Sequence, residues 1–115
     1  MRHSDTKKEN YLDKIPVRGE GINWSLNPDG LVTLDIENKG LFHRFAQKYF
    51  HKPKITHIHL DAMGSYVWSI IDGTSDVYNL SLLVKERFGD EASPLYERLS
   101  KYFHILQSYG FIKMI

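Results

Sequence analysis

On either side of Asn27-Pro28-Asp29-Gly30 the apolar side chains fall on every second residue. Before it, Ile22, Trp24 and Leu26 share one face; after it, Val32, Leu34 and Ile36 do, with Asn23, Ser25, Thr33, Asp35 and Glu37 opposite. A period of two belongs to half-buried strands, because successive side chains of a strand point to opposite faces. Pro28 presets φ for a turn, Asn27 and Asp29 can bond nearby backbone, and Gly30 tolerates positive φ. The spacing therefore predicts an antiparallel hairpin. A lone hairpin is marginal in water, so this one needs a further partner.

Lys54-Ile-Thr-His-Ile-His-Leu60 supplies a candidate third strand, with Thr56, Ile58 and Leu60 on one side and Ile55, His57 and His59 on the other. Between the hairpin and this strand the period changes. Leu41, Phe42, Phe45, Tyr49 and Phe50 recur at helical spacing and Pro53 stops the run, which predicts a short amphipathic helix within residues 40–54.

Three helices follow in the pattern. The first is capped by Asp61, carries Met63, Tyr66, Val67, Ile70 and Ile71, and closes at Asp72-Gly73. Gly64 within it weakens helix propensity and suggests close approach of a neighbour. The second runs from Val77 to Phe88, burying Val77, Leu80, Leu83, Val84 and Phe88, and ends at Gly89. The third has Ser93 as cap, Pro94 in its first turn, and Leu95, Leu99, Tyr102, Phe103 and Leu106 as its seam. Gly110 stops it, leaving Phe111-Ile-Lys-Met-Ile115 as a tail able to pack as a strand. Residues 1–20 hold few apolar side chains and read as a flexible lead-in, tacked down by Tyr11, Ile15 and Val17; the domain is expected over 21–115.

Charge and composition then narrow the function. Fifteen Lys and Arg against fourteen Asp and Glu give a net +1, without the basic excess of a chain that lives on phosphate backbones. The absence of cysteine excludes disulfides, thiolate chemistry and Cys-ligated metal in this chain. No apolar run approaches the roughly 20 residues a bilayer requires, and the polar first residues do not read as a secretory signal. The expectation is a cytoplasmic domain with no membrane contact.

Chemistry finds little support. His57 and His59 project from one face and could grip a metal, with Asp61 on the same alternation. A catalytic zinc site wants three protein ligands, however, and Asp61 is needed as a helix cap. The serines lack a nucleophile elbow, the eight glycines form no phosphate loop, and Asp61 and Asp72 both fall at helix boundaries. We expect no enzyme, no metal and no cofactor. What a three-stranded sheet does offer is an edge, a template on which an extended peptide adds a strand while a neighbouring helix supplies a selective groove. Such edges occur in nearly every small α+β domain, so pattern alone leaves peptide binding as one reading among several.

A resemblance adds to it. Leu60-Asp61, Val67-Trp68, Asp72-Gly73, Phe88-Gly89, Leu99, Leu106 and Gly110-Phe111-Ile112, in that order and spacing, resemble the PqqD-like family, with the hairpin where the family's first two strands belong. The resemblance spans about residues 16–115. It implies an α+β, winged helix–turn–helix-like domain: a three-stranded antiparallel sheet plus a three-helix bundle. It also implies a recognition element that binds the leader of a ribosomally made precursor peptide and presents it to a modifying enzyme, commonly a radical S-adenosylmethionine maturase. In the family the leader lies antiparallel beside the third strand and against the last helix. Carried onto this chain, the strand positions are Thr56, His57, Ile58, His59 and Leu60. Helix positions are Arg98, Tyr102, Ile105 and Tyr109, with Arg98 or Lys101 attracting acidic side chains. Leu60, Val67, Trp68, Leu99 and Leu106 go to the core. Two departures stand out: the 40–54 insertion between strands two and three, and the bulkier, more polar opening of Asp72-Gly-Thr-Ser-Asp-Val-Tyr.

Two other readings stay open. A winged-helix DNA binder would use Arg98, Lys101 and Gln107 on the last helix, although Glu97 and aromatics interrupt them. An orphan scaffold would keep the fold and serve another assembly. Exposed edges also leave homodimer pairing open.

Overall fold

The computed structural model describes residues 10–38 and 54–115. The helix expected between strands two and three lies outside the described residues, as do residues 1–9. The described chain is α+β. It runs β1 (Pro16–Arg18), β2 (Asn23–Leu26), β3 (Val32–Asn38), β4 (Lys54–His59), α1 (Ala62–Ile70), α2 (Val77–Phe88), α3 (Leu95–Ser108) and β5 (Ile112–Met114).

β2, β3 and β4 form an antiparallel sheet in that order, with β3 central. The predicted turn is present: Gly30 takes φ +86° and donates its N–H to Asn27 O at 2.9 Å. The register sets Trp24 opposite Leu34 and Leu26 opposite Val32, so the apolar faces coincide. Val32 and Leu34 are buried beneath the helices, whereas Trp24 and Leu26, on an outer strand, remain 42% and 64% exposed.

The core is the meeting place of this sheet and three helices. Trp68 and Val67 of α1, Leu80 and Val84 of α2, and Leu99 and Phe103 of α3 are fully enclosed. α1 begins where the sequence places it: Asp61 accepts the Gly64 N–H at 2.7 Å, filling one of the donors a helix start leaves open. α2 has an analogous cap in Asp76, which accepts from Asn79 N at 2.8 Å. Between them Asp72 accepts the N–H groups of Thr74 and Ser75 and the Ser75 hydroxyl. These bonds favour the carboxylate and pull its pKa down to about 2. The stability they bring is present above the ordinary carboxylate range and is lost as pH falls toward that value.

Two expectations for the helices are corrected. Leu83 is 40% exposed, because α2 turns Val77, Leu80, Ser81 and Val84 inward and Leu83 falls off that stripe. Ser81 tolerates the buried position by donating its hydroxyl to Tyr78 O at 2.6 Å. Ser93 does not cap α3. Pro94 occupies the cap position with its carbonyl accepting from Arg98 N, and Ser93 closes the preceding 3-10 turn, Gly89–Ala92, by donating to Asp90 O.

From Asn10 onward the expected lead-in is hydrogen-bonded to the domain. β1 pairs antiparallel with β5, Val17 opposite Lys113, in a second, two-stranded sheet. Ile15 and Ile115 exchange both main-chain bonds at 2.9 Å, and Lys14 O receives the N–H of Val77 at the start of α2. The C-terminal tail is thus a strand, and its partner is the segment before the hairpin.

Candidate functional site

Among the described residues β4 pairs with β3 and forms one edge of the sheet. Which backbone groups it offers outward follows from the ladder. Leu60 N donates to Val32 O at 2.9 Å, so Leu60 turns its donor toward β3. In an antiparallel pair this alternates. Ile58 opposite Leu34 and Thr56 opposite Ile36 therefore also turn toward β3, while Ile55, His57 and His59 turn their N–H and C=O groups away from it. Of the five strand positions taken from the resemblance, two present main-chain groups to a guest. Ile55, which the sequence reading left out, is the third.

The side chains alternate as well. Ile58 and Leu60 pack against the core, and His57 and His59 stand on the opposite, outer face. There they meet cross-strand partners in the closely spaced, non-hydrogen-bonded pairs. His57 Nδ1 is 2.6 Å from Asp35 Oδ1, and His59 Nδ1 is 3.0 Å from Thr33 Oγ1. Among the described residues no three His, Asp or Glu side chains converge as a metal would require, and Asp61 is committed to the helix cap.

Where β4 ends, a groove opens between α1 and α3. Asp61, Met63, Gly64 and Val67 line one wall and Arg98, Lys101, Tyr102 and Ile105 the other, around a volume of about 300 Å³. The spacing 98, 101, 102, 105 is one face of a helix, so four of the five nominated α3 residues arrive together. Tyr109 does not line this groove; its ring is 6.1 Å from that of Phe111. Val67, assigned to the core, is both fully buried and part of the groove's floor. Met63 and Asp61 were not nominated, although helical periodicity from Val67 and the cap position would have found them.

The groove's chemistry is mixed. Met63, Val67 and Ile105 make it apolar; Arg98 and Lys101 set two cations on its rim against one carboxylate, Asp61. Arg98 also donates through Nη1 to Glu91 O at 2.6 Å, which holds the guanidinium at the start of α3. Tyr102 is a strut more than an anchor. Its hydroxyl donates to Gly64 O at 2.7 Å, and a Cβ on Gly64 would sit 3.1 Å from Tyr102 Cε1. The close approach expected at Gly64 is this one.

Burial, chiefly, and the charge of Asp61 push the Tyr102 phenol well above the ordinary tyrosine range, with Arg18 pulling the other way. The fold thus favours the neutral phenol. Its contribution is fully present below the unfolded tyrosine pKa of about 10 and is lost as pH rises beyond it. Thermal midpoints measured from pH 8 to 11 should fall at the alkaline end, and Tyr102→Phe should flatten that fall. Tyr11, whose pKa burial also raises, accounts for a remainder. A Tyr102→Phe profile as steep as the parent's would contradict the assignment.

Arg18 lies beside two tryptophans, 4.6 Å from the Trp68 ring centre and 5.4 Å from that of Trp24, and donates to Trp68 O near the end of α1. Its pKa is lowered by burial. Nothing in the sequence pattern pointed to this residue, since it belongs to the segment read as a lead-in.

A family model described as coenzyme PQQ synthesis protein D (PqqD) matches residues 26–112. No curated protein and no solved structure gives a significant match. Among the described residues no helix is long and apolar enough to cross a membrane.

Proposed function

We propose, from the premise that this chain belongs to the PqqD family, that it is a non-catalytic module for an extended peptide. It binds the leader of a ribosomally made precursor on β4 and presents it to a modifying enzyme, a radical S-adenosylmethionine maturase being the partner the family resemblance suggests. A cytoplasmic setting belongs to the same reading. The observation that carries it is the juxtaposition of the outward backbone groups of Ile55, His57 and His59 with a groove that begins at Asp61. Main-chain pairing along β4 supplies general affinity, and the groove reads alternate side chains. Guest residues opposite Ile58 and Leu60 share their face, toward the groove, where Met63 and Ile105 take apolar groups and Arg98 and Lys101 take acidic ones. In a DNA-reading helix Arg98 and Lys101 would project toward base edges; here both line the groove wall.

The ladder selects the test. Ile58→Pro would remove a bond to β3 and damage the domain itself, whereas His57→Pro removes an N–H that points away from β3, and proline is tolerated on edge strands. In a titration with leader peptides encoded beside PqqD-family genes, His57→Pro should bind roughly tenfold more weakly while far-UV dichroism stays unchanged. His57→Ala controls for the lost imidazole. Undiminished affinity in folded His57→Pro would remove β4 as the docking edge.

A further inference from the structure

The outer face of β4 has a chemistry opposite to that of the groove. The groove sets two cations against one carboxylate. On the outer face Asp35 and His57 meet at 2.6 Å, with the His57 side chain 59% exposed and that of Asp35 31% exposed. A carboxylate accepts and does not donate, so at this distance the proton between them sits on His57 Nδ1. The tautomer is thereby set. In its uncharged form His57 turns a lone pair on Nε2 outward, and the pair as a whole carries the single negative charge of Asp35. On the same face, His59 is held by Thr33 Oγ1 at 3.0 Å and in its uncharged form adds no positive charge to offset that of Asp35.

A guest strand on β4 puts one side chain directly beside this pair. His57 is one of the residues whose backbone faces outward, so the guest residue opposite it exchanges main-chain bonds with it, at a Cα separation of about 5.5 Å. Its side chain stands on the same outer face as the imidazole. We infer that His57, positioned by Asp35, is a specificity-determining residue that selects a cationic or hydrogen-bond-donating side chain at that guest position. The client is then an alternating segment with apolar or acidic residues toward the groove and basic or hydroxyl residues toward His57. This rests on the reading of β4 as the docking edge. A guest of the reversed alternation meets the pair with its acidic side chains, and like charges directly opposite each other oppose binding. Register is thereby specified from both faces, since a one-residue slip exchanges the two sets of side chains.

The test uses the full chain at pH 8 and two acetylated, amidated eight-residue peptides. Both alternate leucine with a second residue, lysine in one and glutamate in the other. Backbone amide signals of Ile55, His57 and His59 report occupancy of the edge. We expect the lysine peptide to bind about fivefold more tightly than the glutamate peptide in 0.15 M salt, a size suited to a partly exposed charge pair. Asp35→Asn, nearly isosteric on an exposed face, should reduce that preference to less than twofold; His57→Lys, whose ammonium cancels the Asp35 charge at the same place, should do the same and serves if the first variant loses its fold. Equal affinities, or a preference that survives both substitutions, overturn the inference while leaving the edge in place. If leader peptides also leave those three amide signals unmoved, the docking edge itself fails, and this selection with it.

Discussion

Replacing Trp68 by alanine is expected to cost about 3–5 kcal/mol of unfolding free energy, the range for truncating a large buried aromatic. The indole is fully buried, meets Trp24 edge-on at 6.1 Å between ring centres, and carries the Arg18 guanidinium over its face at 4.6 Å. Alanine would leave a cavity at the join of α1 and the sheet, and it would strip a partly desolvated cation of its aromatic cover. A domain of this size has roughly 5–15 kcal/mol in all, so much of its margin is at stake. Trp68→Phe should cost far less. Among the described residues the indole Nε1–H has no acceptor, so phenylalanine forfeits volume but no hydrogen bond. Urea denaturation followed by far-UV dichroism measures both variants. A Trp68→Ala cost below about 1 kcal/mol would mean that the site collapses without a cavity, and the described packing would then be wrong.

The second large effect lies at the groove. Gly64→Val should destabilise the domain by about 1–3 kcal/mol and weaken peptide binding together, although valine is the better helix former. A first carbon at this position already meets Tyr102 Cε1 and Asp61 Oδ1 at 3.1 Å, and Leu60 Cβ at 3.5 Å. The two further methyl groups of valine have nowhere to go unless α1 and α3 separate. Separation breaks the bond from the Tyr102 hydroxyl to Gly64 O and disturbs the cap made by Asp61. Gly64→Val paired with Tyr102→Phe in a double-mutant cycle isolates this contact: the two costs should be strongly non-additive. Additive costs would show that Gly64 and Tyr102 act separately, and the groove's walls would not depend on their contact.

Much of the sheet and the helix order was legible because alternation and capping are local. The pairs Trp24–Leu34 and Leu26–Val32 follow from an alternating hairpin around Asn27–Gly30, and the Asp61 cap follows from its place before Ala62. Gly64 was legible as a place of close approach, but its partner Tyr102, thirty-eight residues on, was not. The candidate site was half legible. Helical spacing gathers Arg98, Lys101, Tyr102 and Ile105 on one wall, yet the facing residues Asp61 and Met63 require the packing of α1 on α3. Likewise, alternation says that Ile55, His57 and His59 share a face; only the ladder bond from Leu60 to Val32 says which backbones point outward. The pairing of β1 with β5 was illegible for a similar reason. Pro16-Val17-Arg18 is too short to show a period, and its partner stands nearly a hundred residues away.

That last pairing makes the molecule a closed ring of chain. Since Ile15 and Ile115 bond to each other in both directions, everything between them is a single loop held shut at one clasp. Bringing such distant points together costs about 4 kcal/mol in loop entropy, on a logarithmic scale that hardly notices the length of what hangs inside. In sequence, residues 39–53 fall between the two clasped ends. Lengthening or shortening that segment would therefore scarcely tax the clasp.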